Sequence, residues 1–277
     1  CRSLTSEVAM AELNIPRAHS NDWYDNLSKV QRGYYYPWKS RVGDNNGEEA
    51  FIELVKETLS PDLTVLEVGC GHGELALSLA GICKRIIAYD RVPSYVELAK
   101  HLQSHESIEN VGFLCYNALD SGELRLPAEN ESIDLIISRR GPMHWIGDAR
   151  RVCRSGATLI ALCPMEEPIP AWSSKLPPKT HYENSGRHTG SGSIHQSIDN
   201  RLHQAGLTLH SGWGFDVPES FDDPTQLYTM ITWGLPAAEV PSYEDLSRKL
   251  EHIYEIYAEK QGIVLRHCRY LWKAMIP

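Results

Sequence analysis

No stretch of the chain approaches eighteen consecutive apolar residues, so no transmembrane helix is expected. The opening CRSLTSEVAMAELNIPRAHS lacks the apolar core of a signal peptide, which predicts no secretion. No C-x-x-C pair occurs. The 7 cysteines are scattered and odd in number. That fits free thiols in a reducing cytoplasm better than a disulfide framework or a zinc site. Basic charge is also in deficit: 27 Lys and Arg stand against 36 Asp and Glu, a net charge of −9. A surface built to grip phosphate backbones is therefore not expected, so nucleic acid is a poor candidate partner.

What is present is the composition of a folded domain. The chain has 277 residues, 42% hydrophobic and 23% charged, enough for one large α/β domain or two small ones. Residues 1–47 are rich in aromatics and poor in aliphatics, and read as a cap. EEAFIELVKETL, 48–59, has apolar residues at helical spacing and stops at Pro61. From 64 onward strands and helices alternate. TVLEVG, KRIIAYD, VGFLCYNA, SIDLIISR and ATLIALCP read as strands. ELALSLAG, PSYVELAKHLQSH and WIGDARRVCRSG read as the helices among them, the first closed by Gly81. This rhythm predicts a parallel sheet with helices on both faces. After a Gly-, Ser- and Pro-rich loop at 173–196, IHQSIDNRLHQAG reads as a helix and LTLHSGWGF as a strand. DDPTQLYTMITWG and SYEDLSRKLEHIYEIYAEKQG read as helices, the second closed by Gly262. The tail IVLRHCRYLWKAMIP reads as a last strand. No internal repeat and no independent second domain is visible.

The informative stretch is VLEVGCGHGELALSLA, 65–80. Three glycines, Gly69, Gly71 and Gly73, alternate between a strand and a helix, with Glu67 just before them. A parallel α/β sheet binds ligands beyond the carboxyl ends of its strands. Glycine lets backbone approach such a ligand, and the following helix offers free N–H groups. Asp90, ending the next strand, is placed to accept from ribose hydroxyls. A dinucleotide fingerprint needs G-x-G-x-x-G, but here the third glycine comes one position early and Glu74 fills its slot. A phosphate-cradling G-K-[ST] is absent. A carboxylate at 67 opposes a bound pyrophosphate and suits a ligand with cationic groups.

VLEVGCGHG resembles the first motif, E/D-x-G-x-G-x-G, of class I S-adenosylmethionine-dependent methyltransferases. AYDRVPSYVELAK resembles that family's ribose-holding segment. YNALDSGELRLPAENESIDLIISR resembles its adenine site and fourth strand, and RRVCRSGATLIAL its following helix, turn and fifth strand. The resemblance is good over 60–165 and general elsewhere. It implies S-adenosylmethionine as cofactor and S-adenosylhomocysteine as product. It also implies roles. Gly69, Cys70, Gly71 and Gly73 would line the methionine part, and Glu67 would hold its amino group. Asp90 would take the ribose hydroxyls, with Arg91 beside it. Asn117 and the Ala118 N–H would contact the adenine, and Ser138 or Arg139 would face the methionine moiety.

Other residues stay open. Asp90 is either the ribose ligand or no more than a helix cap, since Pro93 follows. SRRGPMHW, 138–145, lacks the N/D-P-P-Y of enzymes that methylate nucleobase amines. Arg139 and Arg140 are either surface charges or a two-pronged grip on a carboxylate or phosphate. His144 is the candidate general base, although a lone histidine is commonly structural. His181, His188 and His195 recur every seven residues, but the sequence between them is a poor helix, so a polar loop is expected and no metal site. Cys163 has nothing nearby to activate it as a nucleophile. In GYYYPWKS, 33–40, Tyr35, Tyr36 and Trp38 are candidates for a lid over the acceptor.

The expectation is a Rossmann-like, doubly wound α/β domain with a mixed seven-stranded sheet, helices on both faces and an N-terminal helical cap. It spans 1–277 as one domain: 1–59 cap and first helix, 60–165 cofactor-binding core, 166–277 acceptor-side loop, helical additions and last strands. The expected activity is methyl transfer to an O or N nucleophile of a small molecule, anionic or aromatic, gripped by Tyr35, Tyr36, Trp38 and Arg140. The alternatives are an RNA-base or protein methyltransferase of the same fold, and a cofactor-binding protein without transfer activity.

Overall fold

The computed structural model describes residues 19–120, 122–177 and 193–277. In chain order the cap carries α1 (Asn21–Val30), β1 (Arg41–Val42) and α2 (Glu48–Thr58). Then follow β2 (Thr64–Val68), α3 (Glu74–Leu79), β3 (Arg85–Asp90), α4 (Pro93–Glu106) and β4 (Val111–Cys115). β5 (Ile133–Arg139), α5 (Ala149–Val152) and β6 (Cys153–Pro164) complete the parallel core. Beyond it lie α6 (Ile194–Gln204), β7 (Thr208–Phe221), α7 (Pro224–Thr232), α8 (Tyr243–Tyr257) and β8 (Ile263–Met275).

The strands form one mixed sheet in the order β1-β7-β8-β6-β5-β2-β3-β4. β4, β3, β2, β5 and β6 run parallel, while β8 is antiparallel to both β6 and β7. From β2 the chain winds outward to β4, then returns to place β5 on the other side of β2. The carboxyl ends of β2 and β5 are thus the switch point where open α/β sheets bind ligands.

The count of seven strands is corrected to eight. The extra one is β1, which pairs antiparallel with β7 through Arg41↔Ser220 and Val42↔Glu219. Two residues carry no periodicity, so nothing in the sequence marks them. The helix expected from Trp145 onward is also shorter than its sequence suggests. A 3₁₀ turn at His144–Asp148 precedes α5, and β6 already begins at Cys153. α3 gives way after Leu79 to a 3₁₀ turn at Ala80–Ile82 rather than closing on Gly81. α8 ends at Tyr257, and Gly262 instead sits in the turn before β8 with φ 92°.

Alternation along the strands sends neighbouring side chains to opposite faces. Leu66, Ile136, Leu159 and Trp272 go to one face and pack with Trp145, Ala149, Ile198 and Leu202 from the His144–Asp148 turn, α5 and α6. Val65, Leu135, Ile137 and Ile160 go to the other and meet Phe51 and Val55 of α2 and Leu75 and Leu79 of α3. Each such side chain, fully buried, contributes about 1.5–3 kcal/mol. A third cluster joins α7 and α8 to Phe221, Ile263 and Leu265 at the ends of β7 and β8.

The cap is pinned to the end of α7. Trp23 is 1% exposed and meets Trp233 edge-on at 4.8 Å. Its indole N–H donates to the Trp233 carbonyl at 3.3 Å, and the Trp233 indole donates to Gln31 Oε1 at 3.1 Å. A Cβ on Gly234 would lie 2.1 Å from the Trp23 ring, so only glycine lets α7 end against the cap.

Candidate active site

The glycine loop hangs beyond the end of β2. Gly69, Gly71 and Gly73 have φ of 69°, 53° and 83°, the left-handed region that favours glycine. Gly73 starts α3, and a Cβ there would strike Phe113 at 2.5 Å. The N–H groups of Gly69 and Cys70 both donate to the Tyr89 carbonyl at 3.0 Å, tying the loop to β3.

Asp90, at the end of β3, receives the Gly71 N–H on Oδ2 and the Val92 N–H on Oδ1, each at 2.9 Å. Burial raises its pKa, and these two donors oppose the rise. Each carboxylate oxygen keeps a further lone pair for a hydroxyl. Arg91 beside it pairs with Asp25 of α1 at 3.0 Å and donates to the Asn21 carbonyl, so it locks the cap to this strand end.

Glu67 lies in β2 with β3 on one side and β5 on the other, and is 3% exposed. Its Oε2 is buried with no hydrogen-bond partner. Burial pushes its carboxyl up to about 8, against the pull of the Arg139 guanidinium. Arg139 itself pairs with Glu74 at 2.9 Å. Glu67, His72, Arg139, Arg140 and Tyr34 enclose, with the loop, a cavity of about 30 Å³. That is room for about one water molecule. The space is small because the Tyr34 N–H donates to His72 Nδ1 at 3.3 Å, bringing the cap down onto the loop.

A second cavity, of about 290 Å³, opens beyond the carboxyl ends of β6 and β7. Tyr36, Trp38, Phe221 and Trp233 supply its aromatic wall, with Tyr36 and Trp38 stacked at 4.8 Å. Glu219, His267 and Arg269 supply buried polar groups, at 4% exposure for Arg269 and 8% for His267. Arg140 stands between the two cavities. It lines the small one, while its guanidinium lies over Tyr36 of the large one, 5.3 Å from the ring centroid.

The remaining sequence candidates are placed as follows. Cys70 is buried beside the loop, and burial together with the charges of Glu67 and Asp90 keeps its thiol protonated. Asn117 Oδ1 accepts the Leu119 N–H at 3.2 Å, and Ala118 is buried beneath it. Ser138 is 1% exposed and donates to the Val68 carbonyl at 3.2 Å, so its hydroxyl ties β5 to β2. Tyr35 is 56% exposed and borders neither cavity. His144 also borders neither. Its Nε2 is buried without a partner, and burial, followed by the Arg201 charge, lowers its pKa. Cys163 donates to the Tyr270 carbonyl at 3.3 Å, and burial pushes its thiol up to about 12. His195 packs on Tyr270 at 4.1 Å, whereas His181 and His188 lie outside the described residues. Among the described residues no three His, Cys, Asp or Glu converge as a metal site.

Glu219, His267 and Arg269 were not singled out by the sequence. A signal existed: Leu265, His267 and Arg269 occupy alternate positions of an apolar strand, so they share one face. Polar residues on a face otherwise buried mark a cavity wall, but only once the neighbouring strands are known.

Residues 65–160 match the family model of a methyltransferase domain. The chain thus has the Rossmann-like fold of methyltransferases around a methyltransferase domain. Solved structures share its fold. A functionally unknown protein from Deinococcus radiodurans R1 is 21% identical, with a TM-score of 0.60, over 92% of this chain and 99% of that one. The YcgJ protein from Bacillus subtilis is 17% identical, with a TM-score of 0.55, over 83% and 99%. A geranyl diphosphate C-methyltransferase from Streptomyces coelicolor A3(2), solved with Mg²⁺, geranyl diphosphate and S-adenosyl-L-homocysteine, is 13% identical, with a TM-score of 0.53, over 95% and 100%. No helix among the described residues is long and apolar enough to cross a membrane.

Proposed function

We propose that this methyltransferase modifies an O or N nucleophile of a small molecule held in the 290 Å³ cavity. The observation that carries this reading is the cavity itself. It is of the size that small ligands occupy, is walled by aromatic side chains, and holds a few buried polar groups. The contact of Arg140 with Tyr36 links its wall to the side chains around the glycine loop. The excess of acidic residues also disfavours a polynucleotide acceptor.

The cofactor fits the residues around the loop. An unpartnered, buried Glu67 Oε2 suits an ammonium group, which the amino-acid end of S-adenosylmethionine carries. Gly69, Cys70, Gly71 and Gly73 would let backbone lie against that end, and Arg139 would oppose its carboxylate. Asp90, flanked by Arg91, would accept from the ribose hydroxyls. Asn117 and Ala118 would border the adenine. When bound, the cofactor supplies a methyl group already activated on a sulfonium. The protein then has to align the acceptor and exclude water. Tyr34 above the loop, with Tyr36 and Trp38 beyond it, would do the excluding.

Release of S-adenosylhomocysteine tests this reading against small aromatic and anionic acceptors, tRNA fragments and proteins. Turnover with small molecules is expected, with the acceptor KM raised in Trp38→Ala while cofactor affinity holds. Turnover confined to RNA or protein would overturn it.

A further inference from the structure

His267 of β8 and Glu219 of β7 form a buried pair on the wall of the larger cavity. His267 Nδ1 stands 3.3 Å from Glu219 Oε2. The other carboxylate oxygen, Oε1, accepts from Ser40 Oγ at 2.6 Å and from the Trp38 indole at 3.4 Å. Burial alone would raise this carboxyl, but the contacts with His267 and Ser40 outweigh it and hold Glu219 below its ordinary value. The carboxylate is placed to accept a hydrogen bond from the Nδ1–H of His267. That leaves the lone pair on Nε2, the nitrogen turned away from Glu219. A carboxylate that orients an imidazole in this way fits it for general-base work.

The pair is not needed to join its strands. β7 and β8 are already in backbone register from Thr208↔Met275 to Phe221↔Ile263. Its position is what calls for an explanation. His267 has Arg266 and Arg269 on its own strand, Glu219 on β7, Glu167 beyond β6, and Lys39 and His19 from the cap, all bordering the same cavity. Arg266 is turned to Asp216 at 2.7 Å. Arg269 is paired with Glu167 at 3.6 Å, and Lys39 at the cavity's edge favours an oxygen that gains negative charge over an amine that gains positive charge. The stacked Tyr36 and Trp38 suit a flat ring.

We propose that His267 is the general base of methyl transfer and removes the proton of a hydroxyl on a planar, aromatic acceptor, with Glu219 as its positioning residue. The inference rests on the acceptor reading of this cavity. In the step, the acceptor O–H bond breaks as Nε2 takes the proton. An oxygen lone pair forms the new C–O bond with the methyl carbon. The methyl C–S bond breaks and leaves its electron pair on sulfur, giving the neutral thioether. His267 ends as an imidazolium beside the Glu219 carboxylate and later returns the proton to water. A phenol ionises near pH 10 in water, so at neutral pH this transfer exposes a nucleophile that would otherwise stay masked.

The test uses 4-nitrophenol, whose ionised form is coloured, and the protein without methyl donor. Bound to the wild type, the probe should ionise at least tenfold more readily than in buffer. His267→Gln and His267→Asn should bind it but lose that gain, and Trp38→Ala should weaken binding itself. ¹⁵N NMR of the wild type should show His267 protonated at Nδ1 and bare at Nε2, with the tautomers mixed in Glu219→Gln. Failure of the probe to bind, equal ionisation in wild type and both His267 variants, or a proton on Nε2 would each overturn the assignment. Neither measurement involves methyl transfer. A protein that released no S-adenosylhomocysteine with small acceptors would thus count against the acceptor reading without moving these two readouts.

Discussion

Arg140 lies over the ring of Tyr36, its guanidinium carbon 5.3 Å from the centroid, and its Nε stands 3.5 Å from Glu48 Oε1 of α2. Arg140 follows β5, Tyr36 lies between α1 and β1, and Glu48 opens α2. One side chain thus joins three parts of the chain at the boundary between the two cavities. It does so with φ 61°, a backbone conformation unusual for arginine.

That contact sets the first prediction. Arg140→Ala should cost about 1–2 kcal/mol, the range of a largely desolvated cation–π contact. Arg140→Lys should recover less than half of it, since lysine lacks the planar face. Tyr36→Phe keeps the ring and should stay within about 0.5 kcal/mol of wild type. Urea unfolding of the three variants checks the ranking. Equal stability of Arg140→Ala and wild type would mean that the cap is held without this contact.

The second prediction concerns Asp90. Its two oxygens already hold the Gly71 and Val92 N–H groups. Asp90→Ala should weaken S-adenosylhomocysteine binding by about 1–3 kcal/mol, the range for a lost charged hydrogen bond. Asp90→Asn retains one acceptor oxygen and should lose less. Calorimetric titration decides. Unchanged affinity in Asp90→Ala would remove this residue from the cofactor site.

Glu67 gives a pH dependence whose sign can be worked out. Burial raises its folded value from 4.5 to about 8. Between those values the folded protein holds a proton that the unfolded chain has released. Stability from this group is therefore complete below pH 4.5 and declines as pH rises to about 8. The decline is on the order of 5 kcal/mol across the window. Glu67→Gln should flatten that part of the profile in thermal unfolding of the cofactor-free protein. An ammonium placed against Oε2 should drive the proton off. Binding of S-adenosylhomocysteine at pH 7 should then release close to one proton, read by calorimetry in two buffers of different ionisation enthalpy. No release would place the ammonium elsewhere.

Much of this arrangement was legible in the sequence, and for physical reasons. β2, β3, β5 and β6 are apolar runs stopped by glycine, acid, arginine or proline, and the glycine spacing between β2 and α3 separates one cofactor class from another. α7 announced itself through Asp223, whose Oδ1 caps the Thr225 N–H at 2.8 Å, and through Pro224 in its first turn. What stayed hidden depended on contacts far apart in sequence. β1 exists because Arg41 and Val42 find an edge at Ser220 and Glu219. The larger cavity needs the cap, β7 and β8 to meet, so Trp38, Glu219 and His267 gain meaning only together. His144 drew notice as a histidine near β5. The 3₁₀ turn sets it within reach of the Arg201 charge of α6 and outside the lining of both cavities.

The last prediction is motion of the cap. A cavity of about 30 Å³ beside the loop is far too small for S-adenosylmethionine. Tyr34 and His72 fill the space a ligand would need, joined by the 3.3 Å bond from the Tyr34 N–H. The loop glycines are fixed by β3, so the cap is the part with freedom to yield. Its ties are the aromatic contacts of Trp23, Tyr34, Tyr36 and Trp38 with Trp233, and the Arg91 pair with Asp25. Admission of the cofactor should lift Tyr34, after which the cap should settle on the new surface. Residues 20–45 should gain hydrogen-exchange protection when S-adenosylhomocysteine is added. Stopped-flow binding should show a second phase whose rate levels off at high ligand concentration, as a conformational step requires. Tyr34→Ala removes the ring that ties this segment to Tyr24, Tyr36 and Trp233, and should speed association while shortening the lifetime of the complex. Unchanged exchange in this segment, together with a single binding phase, would leave the aromatic residues of the cap with packing as their only role.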